Sequence, residues 1–95
     1  MKYLITESQL NKAIFRYLNN QDFIQIETSI NIFFVNSEED EHAQIRYNKK
    51  SGFCQINLNL IEDISEFFSL NNTSSKNIIG KWVEHTLQSE VTYAQ

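Results

Sequence analysis

Between Phe23 and Val35 the chain reads F-I-Q-I-E-T-S-I-N-I-F-F-V. Ile24, Ile26, Ile30, Ile32 and Phe34 fall on even positions, and Gln25, Glu27, Ser29 and Asn31 on odd ones. Such alternation predicts a strand with one buried and one wet face. A second strand is predicted from His42 to Asn48, where Ala43, Ile45 and Tyr47 alternate with Gln44 and Arg46. A third, Phe53 to Asn59, sets Cys54, Ile56 and Leu58 on one face and Phe53, Gln55, Asn57 and Asn59 on the other. Lys49-Lys50-Ser51-Gly52 reads as the hairpin loop between them, with Gly52 able to take positive φ. Pairing Asn48 with Phe53 places Arg46 opposite Gln55 and Ile45 opposite Ile56. Pairing Val35 with His42 places Phe33 opposite Gln44 and Asn31 opposite Arg46. Both registers keep the apolar residues on one side, and a one-residue slip in either destroys that agreement. Residues 23–28 then overrun the second strand, so they must bend, meet another segment, or offer an edge to a partner.

Helical periodicity flanks the strands. Leu10, Ala13, Ile14, Tyr17 and Leu18 form one apolar stripe, with Asn11, Lys12 and Arg16 opposite. Thr6 and Gln9 match a capping box, Ile5 and Leu10 a hydrophobic staple, and Asn19-Asn20 a helix end. After Asn59 the period returns to helical. Leu60, Ile61, Ile64, Phe67 and Phe68 line one side and Glu62, Asp63 and Glu66 the other, with Asn59 and Glu62 as a cap-like pair. Asn71-Asn72-Thr73 is the expected stop. Ser74 or Ser75 is the expected cap of a last helix carrying Ile78, Ile79, Trp82, Val83 and Leu87, with Trp82 in the core. Gly80 inside that helix points to another element approaching closely. Residues 88–95 read as a frayed tail in which V-T-Y is able to add a short edge strand.

The order α-β-β-β-α-α predicts a single two-layer α+β domain over residues 1–95. Its sheet is a three-stranded antiparallel β-meander, covered by an N-terminal helix and a C-terminal helical pair. A helix followed by bent strands also resembles Sm-like proteins, which makes a small barrel with an N-terminal helix the alternative. Double-stranded-RNA-binding domains share the order α-β-β-β-α, but their last helix opens with a lysine cluster and the matching helix here is acidic.

Composition narrows function more than it defines it. At 95 residues, 41% hydrophobic and 21% charged, the chain is an ordinary globular domain. Its net charge of −4 repels a phosphate backbone on average. Lys2 is followed by three apolar residues before Thr6, too few for a signal peptide, and no apolar run is long enough to span a membrane. A single cysteine, Cys54, excludes an internal disulfide and suits a reducing cytosol. A cytoplasmic protein is therefore expected.

The densest charge cluster is Glu38, Glu39, Asp40 and Glu41, followed by His42. Its spacing lacks the glycine-shaped turn of a calcium loop, so it reads as a solvated connection or an acidic docking loop. His42, His85 and Cys54 are scattered, without metal-ligand spacing, and Cys54 alternates with core residues as a buried thiol does. No phosphate-cradling or nucleophile motif is present. The expectation is a non-enzymatic protein with no cofactor, metal or small-molecule substrate. The outer sheet face is the candidate binding face: Phe33, Arg46, Phe53, Gln44 and Gln55, with Gln25, Glu27, Ser29, Asn31 and Asn57 beside them. Phenylalanines next to an arginine anchor a protein partner or stack bases. The first reading is a protein-interaction or accessory protein contacting a partner, or a second copy of itself, through the sheet edge or outer face. RNA or single-stranded DNA binding on that face is the alternative.

Leu4 to Lys12, L-I-T-E-S-Q-L-N-K, resembles the start of many small proteins of tailed bacteriophages, marine ones in particular. The ending is similar to theirs too, with Glu66-Phe67-Phe68 in one helix and Trp82-Val83-Glu84 in the last. The resemblance covers the two ends and not the strands. It implies a viral or metagenomic source and a protein made in the cytosol of a bacterial host. Those proteins have no assigned activity, so the resemblance assigns no functional residue.

Overall fold

The structure is a computed structural model that describes residues 7–36 and 42–95, with side chains in the first segment from residue 9. Helix α1 spans Glu7–Asn19 and buries Ile14 and Leu18 completely, with Leu10 and Tyr17 half-buried beside them. The stripe is the predicted one, except that Ala13 is exposed. The Thr6 cap and the Ile5 staple lie outside the described residues.

The stretch from Phe23 to Val35 forms two strands, β1 (Ile24–Glu27) and β2 (Asn31–Val35), paired as an antiparallel hairpin. Thr28 makes the turn. Its hydroxyl accepts from the Asn31 N–H at 2.9 Å, and its own N–H donates to the Asn31 carbonyl at 2.8 Å. A threonine hydroxyl thus does locally what an asparagine or aspartate side chain does in a tight turn. Of the three fates open to residues 23–28, the chain bends.

Strands β3 (Ile45–Asn48) and β4 (Phe53–Ile56) continue the sheet. Ile45 faces Ile56 and Arg46 faces Gln55, the register expected from the hydrophobic pattern. Asn48 Oδ1 accepts from the Lys50 and Ser51 amides, and Gly52 takes φ +74, as the hairpin loop requires. The β2–β3 register differs from expectation by two residues. Asn31 faces Asn48, Phe33 faces Arg46 and Phe34 faces Ile45. A shift of two leaves every side chain on its face, so the alternation alone does not choose between the two registers.

The third predicted strand stops early. Asn57 caps helix α2 (Leu58–Phe68) by accepting from the Asn59 N–H, so the cap is Asn57 rather than Asn59 and Leu58 turns outward. Ser69, at φ 56, ends α2 before Asn71. Asn71 then caps helix α3 (Asn72–Leu87) by accepting from the Ser74 N–H. Asn71-Asn72-Thr73 therefore begins α3 instead of stopping α2, and neither Ser74 nor Ser75 is the cap. Ser75 is buried and bonds the Asn71 carbonyl and Ser65 Oγ, joining α3 to α2.

Of the two expectations for the tail, the edge strand forms: β5 (Tyr93–Ala94) pairs parallel to β4. A Cβ on Gly80 would lie 3.0 Å from the Ala94 Cβ, so the close approach implied by a mid-helix glycine is that of β5. The fold is α+β, with a five-stranded mixed sheet in the order β1-β2-β3-β4-β5 in place of the three-stranded meander. Among the described residues β1 and β5 remain its two edges, so the small barrel is not what forms.

The core lies between the helices and one face of β2–β4, where Phe34, Ile45, Cys54, Ile64, Ile79 and Val83 are wholly buried. Trp82, 4% exposed, packs on Phe23 and Phe34 and donates its indole N–H to Asn19 Oδ1 at 2.9 Å. This ring cluster joins α1, α3 and the entry to the hairpin. Burying a side chain such as Phe34 contributes roughly 2–3 kcal/mol.

Candidate interaction surface

The hairpin at Thr28 inverts the expected face of β1. Ile24 lies opposite Val35, Gln25 opposite Phe34, Ile26 opposite Phe33 and Glu27 opposite Ile32. Directly paired residues share a face. Gln25 and Glu27 therefore lie on the helix-covered side, with Phe34 and Ile32. Ile24 and Ile26 lie on the outer side, with Phe33 and Val35. This corrects two expectations at once: the isoleucines of β1 do not join the core, and Gln25 and Glu27 do not join the outer face. Packing agrees, because Val35, Ile24, Ile26 and Phe33 are absent from the core cluster although Val35 is only 4% exposed.

The outer face is thus more apolar than its sequence pattern suggested. Ile26 is 39% exposed, and Ile24 and Phe33 are half-buried beside it. At the other end Phe53 stacks on Tyr93, with centroids 5.7 Å apart and planes at 21°. Tyr93 is 59% exposed. Between the two groups Arg46 crosses to Gln55, its guanidinium donating to the Gln55 Oε1. A shallow cleft of about 340 Å³ opens here, lined by Phe33, His42, Arg46, Gln55 and Asn57 among others.

Of the five candidate residues, Phe33, Arg46 and Gln55 come together around this cleft, and Phe53 lies on the same face with Tyr93. Gln44 takes another part. Its N–H donates to the Phe34 carbonyl although Ile45 is the residue opposite Phe34, so two residues face one, as at a bulge. Its carbonyl accepts from the Asn57 N–H at 2.8 Å. Gln44 thus anchors the start of α2 to the sheet through its backbone and does not line the cleft. The acidic candidates Glu38, Glu39, Asp40 and Glu41 lie outside the described residues. Sequence reasoning missed Ile24, Ile26, Val35 and Tyr93. Ile24 and Ile26 follow once a turn is placed at Thr28, since a register pairing 24 with 35 sets even positions against odd ones, and Val35 follows from its alternation with Phe33.

The chemistry this surface offers is contact. Arg46 is a fixed cation presenting a planar donor array among apolar groups, suited to an acceptor on a partner. Cys54 lies on the opposite side of the sheet, buried, and loss of solvation pushes its pKa from 9.0 up to about 12, so its thiol stays protonated. His85 is exposed on α3 with its ring 5.9 Å from that of Phe15, away from this face. No helix among the described residues is long and apolar enough to cross a membrane. Comparison of the chain with family models, with curated proteins and with solved structures finds no match.

Proposed function

We propose that the protein acts by contact, binding a protein partner through the outer face of its sheet and the adjoining β1 edge. The observation that carries this reading is the apolar outer face, on which Ile24, Ile26, Phe33, Phe53 and Tyr93 are left uncovered by the helices around Arg46. Exposed apolar side chains gathered on one face mark interaction sites more often than scattered ones do. Phenylalanine, tyrosine and arginine are also the types that dominate contact energetics. The resemblance at the two chain ends implies a bacteriophage source, and with it a partner in the cytosol of a bacterial host.

Capture from a bacterial host lysate with the full chain as bait tests the reading. Phe33→Ser and Arg46→Glu, with the fold checked by circular dichroism, are expected to reduce capture of a discrete protein at least tenfold. Capture unchanged by both substitutions contradicts it. Neutralising Glu38, Glu39 and Glu41 together separates the face from the acidic run, whose charge suits it instead to compete for a basic host surface.

Single-stranded nucleic acid on the same face is the second reading, favoured by Arg46 lying between the two aromatic groups. The net charge of −4 weighs against it, as does the stacking of Phe53 and Tyr93 on each other. Salt-sensitive binding of a labelled oligonucleotide that is lost in Arg46→Ala would select it.

A further inference from the structure

We propose that the chain pairs with a second copy of itself, β1 against β1 in antiparallel, across a two-fold axis that passes beside Ile26. This rests on the contact reading above and names the occupant of the β1 edge.

The backbone sets the pairing. Thr28 N–H bonds to the Asn31 carbonyl, which fixes the alternation of the β1–β2 ladder. Ile26 and Ile24 turn their N–H and C=O groups toward β2, and Gln25 and Glu27 turn theirs away from the sheet. Gln25, Ile26 and Glu27 are all exposed. A two-fold axis normal to the sheet places Gln25 of one copy opposite Glu27 of the second copy, and the reverse. The residues with outward-facing groups then bond each other, and the contact is isologous. Ile26 meets its own counterpart at the non-bonded position, where Cα atoms approach to about 4.5 Å. Both isoleucines lie on the outer side, so the apolar stripe from Phe33 through Ile26 runs on into the second copy.

Side chains select this register. Shifting it by two in one direction opposes the two Glu27 carboxylates, which repel. Shifting it by two in the other sets Glu27 against Phe23, whose ring is held on Phe34 and Trp82 at 6.4 and 5.9 Å. In the proposed register each Glu27 meets a Gln25 amide that can donate to it. Edge strands are commonly guarded by a charged side chain. Here Lys49 lies 2.5 Å from Glu27 within the same chain, a surface pair that lessens that guard without removing the carboxylate's charge. The opposite edge, β5, is only two residues long and offers no comparable ladder.

Four backbone bonds and one isoleucine pair make a small interface, so the expected dissociation constant is on the order of 0.1–1 mM. Sedimentation equilibrium of the full chain up to about 1 mM should show the mass rise from 11.2 kDa toward twice that value. Gln25→Pro removes an outward N–H without touching the ladder to β2, and Ile26→Glu opposes two carboxylates across the axis. Each should weaken association at least tenfold. Should the proline disturb the hairpin, Ile26→Glu carries the test alone. A mass of 11.2 kDa at every concentration, or a dimer indifferent to both substitutions, overturns the pairing. Phe33→Ser separates the two ideas: it should abolish partner capture and leave the dimer intact. Loss of both the dimer and capture in Phe33→Ser refutes the pairing alone, and an intact dimer with capture retained refutes the contact reading alone.

Discussion

The two edges of the sheet are built in opposite ways. At β5 a two-residue strand is pinned from several directions. Ile56 N–H donates to the Gln95 carbonyl at 2.6 Å, Gln95 N–H to the Cys54 carbonyl at 2.8 Å, and Thr92 N–H to the Gly52 carbonyl at 2.9 Å. Tyr47 Oη donates to the Glu90 carbonyl at 2.8 Å, and Ala94 lies against Gly80 of α3. At β1, among the described residues, a longer strand is held by β2 alone, with a threonine turn, an ion pair and mostly exposed side chains. Residues 92–95 close one margin of the sheet, whereas among the described residues no strand pairs with the outer side of β1. The open margin is also where the isoleucines turn away from the core. The β5 edge thus serves stability, and the β1 edge carries the proposed contact.

Four perturbations should separate the edges, from the largest effect to the smallest. Gly80→Val forces β5 off α3 and should cost about 1–3 kcal/mol by denaturant unfolding, with faster amide exchange at Ile56 and Gln95 and little change in β1. Cys54, beneath the closed edge, should resist thiol reagents in the folded protein near neutral pH. Its folded pKa is raised to about 12 from 9.0, so the unfolded chain loses the proton first. Stability from this group is complete below pH 9.0 and is lost as pH rises toward about 12. A pH series of unfolding midpoints, compared with Cys54→Ala, measures that slope. Thr28→Val removes the hydroxyl that accepts from Asn31 and should cost about 1 kcal/mol, with exchange quickened in residues 24–27 and unchanged in β3–β5. Lys49→Ala breaks an ion pair at the surface and should cost no more than about 0.5 kcal/mol, vanishing in high salt.

The same contrast explains what the sequence makes legible. Helix α1, the β3–β4 hairpin, the burial of Trp82 and the meaning of Gly80 were readable because periodicity and one glycine carry them locally. The bend in Phe23–Val35 was not, because its turn rests on the Thr28 hydroxyl and no glycine or proline announces it. Missing that bend put Ile24 and Ile26 on the wrong face. Register by two residues was also hidden, since alternation fixes parity and no more. The caps at Asn57 and Asn71 were misplaced by two or more residues because asparagines repeat at the start of α2, and asparagines and serines at the start of α3. Arg46, Gln55 and Phe33 were nevertheless found, since the β3–β4 register and the parity of β2 both held.

Amide hydrogen exchange at Gln25 and Glu27, against Ile56 and Gln95, followed in dilute and in concentrated protein, tests the central claim most directly. An open, self-pairing edge predicts fast exchange at Gln25 and Glu27 in dilute solution, slowing as concentration rises, with Ile56 and Gln95 protected throughout. Protection of Gln25 and Glu27 equal to that of Ile56 and Gln95 at every concentration would contradict it.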